Sequence, residues 1–552
     1  MPVINFSYSD LCSLIGEEIP RSELDERIPL MGADMGDSED STDEMSVEFF
    51  PDRPDLYSAE GIARSLRAFF GISPGIHTYD VEETDIDVIV DESVKPVRPY
   101  FLCGTVSGLQ IDDELLKSMM DMQEKLHLTI GRKRSKLAIG IHDLDKIKPP
   151  FTYSLENPKE IKFVPLGHTE EMDLDGILEK HEKGKEYASL LKNTEKYPII
   201  RDHDGEVLSF PPIINGSLTT VTTDTKNVFV DVTGTDRKAV KGALDIVCTA
   251  LAERGGRIGS VKMDDCGEKY ASPDLTPSER TVSVKKCNEF LGTDLDTDGM
   301  CAALKKMGLG AKVGKEDCMI AIIPSTRTDI MHDVDIFEDV AIGYGFENFG
   351  GPYGLDGTVA SRLDETVFSD GVRNIMTGLG YTEVTTLTLS NEKDEFTKSG
   401  IPEAVAVTVK NPITEDHTCL RVNLFPSLMR ILRHNRHRDL PQKIFEVGYV
   451  VRDLKNSLHL CAVAAASRTS FTESKSLAES VLREIGCEYS VGTCDYGTFI
   501  PGRGASVIVD GEVIGIFGEV SPEVITGFGI NHPIMVFELN LDGYISKSSS
   551  LF

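Results

Sequence analysis

The segment Ser325–Gly345, S-T-R-T-D-I-M-H-D-V-D-I-F-E-D-V-A-I-G-Y-G, places Asp329, Asp333, Asp335, Glu338 and Asp339 within eleven residues. On a helix Asp335, Glu338 and Asp339 fall at i, i+3 and i+4 and share one face, where like charges repel. A cation against that face would relieve the repulsion. A hard divalent ion such as Mg2+ suits it, because Mg2+ takes carboxylate oxygens and keeps some of its water. Equally, Asp333 could cap a helix, with the following acids favouring the positive end of the helix dipole. Spacing alone weighs the two readings the same.

Two other groupings could do chemistry. N-V-F-V-D-V-T-G-T-D reads as a strand emptying into a helix, and it gathers Asp231, Thr233, Thr235 and Asp236 where free backbone N–H groups collect. Capping by Asp236 accounts for that pattern by itself. R-K-R-S-K carries Arg132, Lys133, Arg134 and Lys136, the densest basic cluster of the chain. Such a cluster past a helix end is ordinarily a solvated surface.

The elements that position these groups follow from hydrophobic period. Ile62, Leu66 and Phe69 mark a helix that Gly71 ends, after a segment held extended by Pro51 and Pro54. Leu115, Met119, Met122 and Leu126 mark a second helix. Val240, Leu244, Val247 and Leu251 mark a third, stopped at Gly255-Gly256. M-I-A-I-I-P is a short buried strand before the acidic segment. Further on, helices are expected over Phe368–Leu379 and Leu424–Asn435, and strands at V-A-V-T-V-K before Asn411 and at K-I-F-E-V-G-Y-V-V. A hairpin should turn at Asp510-Gly511. Asp37 to Glu48, with six acids and no base, reads as a solvated loop.

At 552 residues the chain is too long for one core, and ~150 residues per domain suggests three or four. We divide it into an N-terminal structural domain (1–80), an α+β unit (81–277), a small α/β domain bearing the acidic cluster (278–353) and a further α/β unit (354–552). Eleven scattered cysteines without a C-x-x-C pair fit free thiols in a reducing cytoplasm. The N-terminus does not read as a signal peptide, and no apolar run approaches the ~20 residues that cross a bilayer. The net charge of −33 argues against a nucleic-acid partner, although local patches decide binding more than totals do. The chain has no G-x-x-x-x-G-K-[ST] loop, no H-E-x-x-H and no G-x-S-x-G.

Seven motifs occur in order: F-P-D-R-P-D-L-Y-S-A-E-G-I-A-R, R-K-R-S-K-L-A-I-G-I-H-D-L-D-K-I, P-P-I-I-N, F-V-D-V-T-G-T-D, T-D-I-M-H-D-V-D-I-F-E-D-V-A-I-G-Y-G, L-R-V-N-L-F-P-S-L-M and K-I-F-E-V-G-Y-V. Together they resemble, end to end, the β-subunit family of phenylalanine–tRNA ligases in its archaeal form. That form lacks the N-terminal oligonucleotide-binding barrel and C-terminal anticodon-binding extension of the bacterial one.

The resemblance implies a ligase of two α and two β subunits that joins phenylalanine to its tRNA at the expense of ATP, with the adenylation chemistry in α. It implies that residues 81–277 hydrolyse mischarged tyrosyl-tRNA, with Asn215, Asp231, Thr233, Thr235 and Asp236 at the pocket. It places an Mg2+ shared with the α subunit on Asp329, Asp335, Glu338 and Asp339. Arg132, Lys133 and Arg134 would then serve tRNA. Residues 354–552 would form a class II synthetase-like antiparallel core without chemistry. Arg452-Asp453 matches only in part the arginine–glutamate pair that grips ATP, and G-I-F-G-E-V-S-P-E-V supplies no arginine. A free-standing tRNA deacylase and a non-enzymatic tRNA-binding scaffold are the alternatives. The shared metal argues against the first and the editing pocket against the second.

Overall fold

The computed structural model describes residues 2–36, 43–350, 357 and 359–547, in two compact units, Met1–Tyr353 and Gly354–Phe552. In the first unit one hydrophobic cluster runs from Ile4 through Leu126 and Val247 to Ile342. The three divisions expected within residues 1–353 therefore share a core. No helix among the described residues is long and apolar enough to cross a membrane.

The first unit is built on a ten-stranded mixed sheet. Its functional end consists of Tyr100–Ser107, Val228–Gly234 and Leu137–Asp143, antiparallel and adjacent in that order. Every residue of Val228–Gly234 and of Leu137–Asp143 is buried. Both faces are covered, which is why these strands read as near-continuous apolar runs rather than alternating ones. Helix Asp113–Leu128 packs with Leu115, Met119, Met122 and Leu126 inward, and helix Arg237–Glu253 with Val240, Leu244, Val247 and Leu251 inward, as their 3.6-residue period requires.

Two expectations for this unit change. Glu44–Phe49 is no loop but the middle strand of a small sheet, between Val3–Ser7 and Ala33–Met35. Met45, Val47 and Phe49 alternate inward while Glu44 and Glu48 face out, so the acid count masked a period of two. The rest of the acidic run, Asp37–Thr42, lies outside the described residues. Pro54 does not extend the chain; it opens a short 3-10 turn, Pro54–Leu56, as its fixed φ allows. Beside it Arg53 grips Asp55 with two bonds of 2.9 Å. Burial opposes ionisation of Asp55, but Arg53 prevails and holds it at about 2.

The second unit is a seven-stranded sheet in which Gln442–Arg452, Lys455–Ala465, Ile534–Asn540, Glu512–Val520 and Phe499–Val509 are successive antiparallel neighbours. Helices Asp364–Gly378 and Phe425–His434 form as expected. The hairpin turns at Asp510 (φ 54°) and Gly511 (φ 86°), the left-handed pair that a two-residue turn needs. V-A-V-T-V-K forms no strand: only Thr408 bridges to Cys419, and Val405 is exposed. Val409 N–H donates to the Thr418 carbonyl and Leu420 N–H to the Val407 carbonyl, both at 2.8 Å, and the pairing stops at that single bridge.

Glu395 is fully buried in this unit, its Oε2 accepting from the Val422 and Asn423 N–H groups. Burial pushes its carboxyl up to about 7. A raised carboxyl contributes stability below its unfolded value near 4.5, and that contribution fades as pH rises through 7, on the order of 3 kcal/mol in all. Between pH 5 and 8 the melting temperature of wild type should therefore fall more than that of Glu395→Gln. Parallel curves in thermal melts would refute the assignment.

Candidate functional site

A cavity of about 610 Å3 opens beside the strands Leu137–Asp143 and Val228–Gly234. Leu116, Met119 and Met120 line it from helix Asp113–Leu128, and Phe210, Pro211, Pro212 and Ile213 from the segment opposite. Its size and apolar lining with few polar groups suit a small organic side chain. Asn215, Asp231 and Thr233 all line it, so three of the five expected pocket residues come together.

Thr235 and Asp236 do not reach it. Thr235 Oγ1 donates to the Ser135 carbonyl at 3.2 Å. Asp236 caps helix Arg237–Glu253, accepting from Lys238 and Ala239 N–H at 3.1 Å each, and pairs with Lys136 at 3.0 Å. That lysine, with the two amides, holds its carboxyl below the usual range. The cap also consumes the helix-start amides, which are therefore not free to polarise an ester.

The strand floor carries its polar groups in fixed positions. Arg98, buried and without a carboxylate partner among the described residues, donates from Nε to Thr233 Oγ1 (2.9 Å) and from Nη2 to the Thr233 carbonyl (2.8 Å). Burial lowers its guanidinium to about 10. Asp231 Oδ2 lies 2.6 Å from His142 Nε2. Ser209 lines the cavity with a buried hydroxyl that has no hydrogen-bond partner among the described residues, an unusual cost for a polar group. His127, beneath the cavity, is driven down to about 4 by burial and accepts the Ile139 N–H at 2.8 Å as a neutral ring.

Sequence reading missed Arg98, His142, Ser209 and Thr219. Only His142 left a signal, as a lone imidazole in the buried run L-A-I-G-I-H-D.

The basic cluster divides. Arg132, Lys133 and Arg134 have φ of 45°, 52° and 64°, a left-handed turn costly for residues with a Cβ. Arg132 and Lys133 are exposed, but Arg134 turns inward to the cavity wall. Its Nη1 donates to the Ile213 carbonyl at 2.8 Å, and its guanidinium lies 4.6 Å from the centre of the Tyr187 ring. Arg134 is a strut of the pocket, not a free phosphate ligand.

The acidic segment does not assemble a metal cage. Arg327 is buried and donates to Asp329 (2.7 and 2.9 Å) and to Asp339 (2.8 Å). Asp335 accepts from the Met331 and His332 amides in a capping box around His332, so Asp333 is not the cap; it pairs with Arg280 at 2.7 Å. Glu338 is exposed and has no ion pair among the described residues. Among these residues no group of three or more His, Cys, Asp or Glu could hold a metal. Arg327, two residues before Asp329, supplies positive charge to Asp329 and Asp339, while burial and the neighbouring Asp339, Asp52 and Asp335 leave the Glu338 carboxyl raised.

In the second unit Arg452 is committed internally, donating to the Val422 carbonyl at 3.1 Å and to Asn423 Oδ1 at 2.5 Å. The start of helix Phe425–His434, a natural anion site, is filled by Glu538, which accepts the Leu424 and Phe425 N–H groups at 3.0 Å each and meets His459 at 3.0 Å. Burial opposes its ionisation, but His459 and the Leu424 amide hold its carboxyl below the usual range. A phosphate would meet a carboxylate there.

Family models match three stretches: the B3/4 domain at residues 110–248, the tRNA synthetase B5 domain at 280–346, and the phenylalanyl tRNA synthetase beta chain CLM domain at 356–541. The chain is 45% identical over 541 residues to the phenylalanine–tRNA ligase beta subunit of Methanothrix thermoacetophila, covering 98% of this chain and all of the relative. It is 43% identical over 544 residues to that of Methanococcoides burtonii, with the same coverage. An N-terminal fragment of the phenylalanyl-tRNA synthetase beta subunit from Pyrococcus horikoshii superposes with a TM-score of 0.60 at 42% identity, covering 62% of this chain and all of the fragment. On this likeness over its full length, the chain belongs to the phenylalanine–tRNA ligase β-subunit family.

Proposed function

We propose that the chain, as the β subunit of a phenylalanine–tRNA ligase, clears tyrosyl-tRNA in the 610 Å3 cavity. The observation that carries this reading is a mostly apolar cavity with a buried carboxylate, Asp231, and the hydroxyls of Ser209 and Thr233 on its walls. Tyrosine differs from phenylalanine by one hydroxyl, and an apolar synthetic pocket rejects an added hydroxyl only ~100-fold. A second pocket built to bond the hydroxyl discriminates in the opposite sense, because phenylalanine leaves its polar groups unpaired. Ester cleavage then requires an oriented water, a role we assign to the wall groups Asn215 and Ser209.

The reading includes an α subunit as partner, in a complex of two α and two β chains, with ATP and Mg2+ entering through the α subunit's reaction. No Mg2+ site is proposed on this chain. Residues 354–552 are read as a silent class II-like core, since Arg452 and the start of helix Phe425–His434 are already occupied by protein groups. The test is deacylation of tyrosyl-tRNA and phenylalanyl-tRNA by the wild-type complex. Faster clearance of tyrosyl-tRNA is expected, and equal or absent clearance rejects the reading.

We read Arg132 and Lys133, exposed at the turn beside the cavity, as contacts for the phosphates of the 3′ end. Replacing both with alanine should flatten the log–log salt dependence of tRNA binding by about two units of slope. An unchanged slope would make them ordinary surface residues.

A further inference from the structure

Behind Asp231 lies a second layer of polar groups that the family models do not assign. His142 is fully buried, and both of its ring nitrogens are engaged: Nε2 with Asp231 Oδ2 at 2.6 Å, Nδ1 with Thr219 Oγ1 at 2.7 Å. Thr219 is itself buried and reaches the Gly216 carbonyl at 3.3 Å, next to Asn215. The chain Asp231–His142–Thr219–Gly216 thus ties the strand floor of the cavity to its far wall. Gly140, directly across from Asp231 in the ladder, makes the contact possible. A Cβ there would stand 2.2 Å from Asp231 Oδ2 and 2.7 Å from His142 Nε2.

The protons follow from the partners. With Asp231 ionised, Nε2 must carry a hydrogen. Either the Thr219 hydroxyl donates to a bare Nδ1, or a doubly protonated ring donates to Thr219, whose own hydrogen turns to Gly216. In both arrangements Nε2–H donates to Oδ2. Arg98, Cys103 and Tyr153 are among the ionisable groups close enough to feel the charge of Asp231. Arg98 is the one fixed cation among them. No hydrogen bond from a described residue reaches Asp231 Oδ1.

We propose that His142 is a positioning residue: with Thr219 behind it, it pins Asp231 through Oδ2 and leaves Oδ1 as the acceptor for a phenolic hydroxyl entering the cavity. The proposal rests on the reading of this cavity as the tyrosyl-tRNA site. It makes selectivity depend on the direction of one carboxylate oxygen, which a rotated Asp231 would lose even with its charge intact.

The test uses the αβ complex with two substitutions, His142→Phe, which keeps the ring volume and removes both nitrogens, and His142→Gln, whose amide can still donate to Asp231. Rates are measured against concentration for tyrosyl-tRNA and phenylalanyl-tRNA. Co-elution with the α subunit and thermal melts check folding. His142→Phe should lower the tyrosyl-to-phenylalanyl ratio of kcat/KM by at least about tenfold, the scale of a lost hydrogen bond to a charged group, and His142→Gln should recover most of it. Thr219→Val should shift the ratio in the same direction, and carries the test if His142→Phe does not fold. Wild-type ratios in His142→Phe, or equal loss in His142→Phe and His142→Gln, overturn the proposal. Wild type that never clears tyrosyl-tRNA overturns the editing reading itself, before any variant is compared.

Discussion

Asp231→Ala should slow hydrolysis of tyrosyl-tRNA by on the order of 100-fold, the scale of removing one directed polar group from a buried site. The residue is 2% exposed, lines the cavity and is the one carboxylate buried in its wall. Its removal takes away the acceptor that distinguishes a hydroxyl from a hydrogen, so the variant should also lose its preference for tyrosyl over phenylalanyl ester. Thr233→Val should impair the site by another route. Arg98 Nε would lose its acceptor and be left buried and unpaired, so a stability cost should accompany the kinetic one. Asn215→Ala removes a wall amide from the half-buried side of the cavity and should slow cleavage. Thr235→Val and Asp236→Asn serve as controls. They share the same motif, yet their side chains bond Ser135 and the helix start, so tyrosyl-tRNA clearance should be retained. The measurement is single-turnover deacylation by each complex. Wild-type rates in Asp231→Ala would place the hydroxyl-reading group elsewhere.

The contrast between Asp231 and Asp236 shows where the sequence is informative and where it stops. Helices with one buried face were legible because burial imposes a period that a single chain displays: Leu115, Met119, Met122 and Leu126 needed no knowledge of what they pack against. The strand Glu44–Phe49 was obscured because its solvent face is acidic, and V-A-V-T-V-K was overread because strand propensity does not reveal how far a partner strand extends. The site was legible only as a motif. The bonds His142–Thr219, His142–Asp231 and Arg98–Thr233 span 77 to 135 residues, set by strand order that no local pattern encodes. Arg134 illustrates the same limit at short range. Three adjacent basic residues look equivalent on paper, and only the left-handed turn sends one into the pocket and two into solvent.

Arg327→Met should destabilise the first unit by roughly 3–5 kcal/mol, because it leaves carboxylates buried without their counter-charge. Asp339 is 3% exposed and bonds Arg327 at 2.8 Å, and Asp329 shares the same guanidinium. A loss of that size is a large fraction of the stability of a typical domain and should appear as a clear drop in melting temperature or urea midpoint. The triple variant Arg327→Met/Asp329→Asn/Asp339→Asn should recover much of it, since no uncompensated charge remains. The same experiment separates the two readings of the acidic segment. If Arg327 supplies the positive charge, melts of wild type should be flat from chelator to millimolar Mg2+, and Asp335→Ala should cost about 1 kcal/mol as a lost cap whatever the metal concentration. If a metal holds the carboxylates instead, wild type should gain stability with added Mg2+, and Asp335→Ala with Glu338→Ala should abolish the gain. The geometry favours the first outcome. A guanidinium already within hydrogen-bond distance of Asp329 and Asp339 must be displaced before an ion can take its place between them.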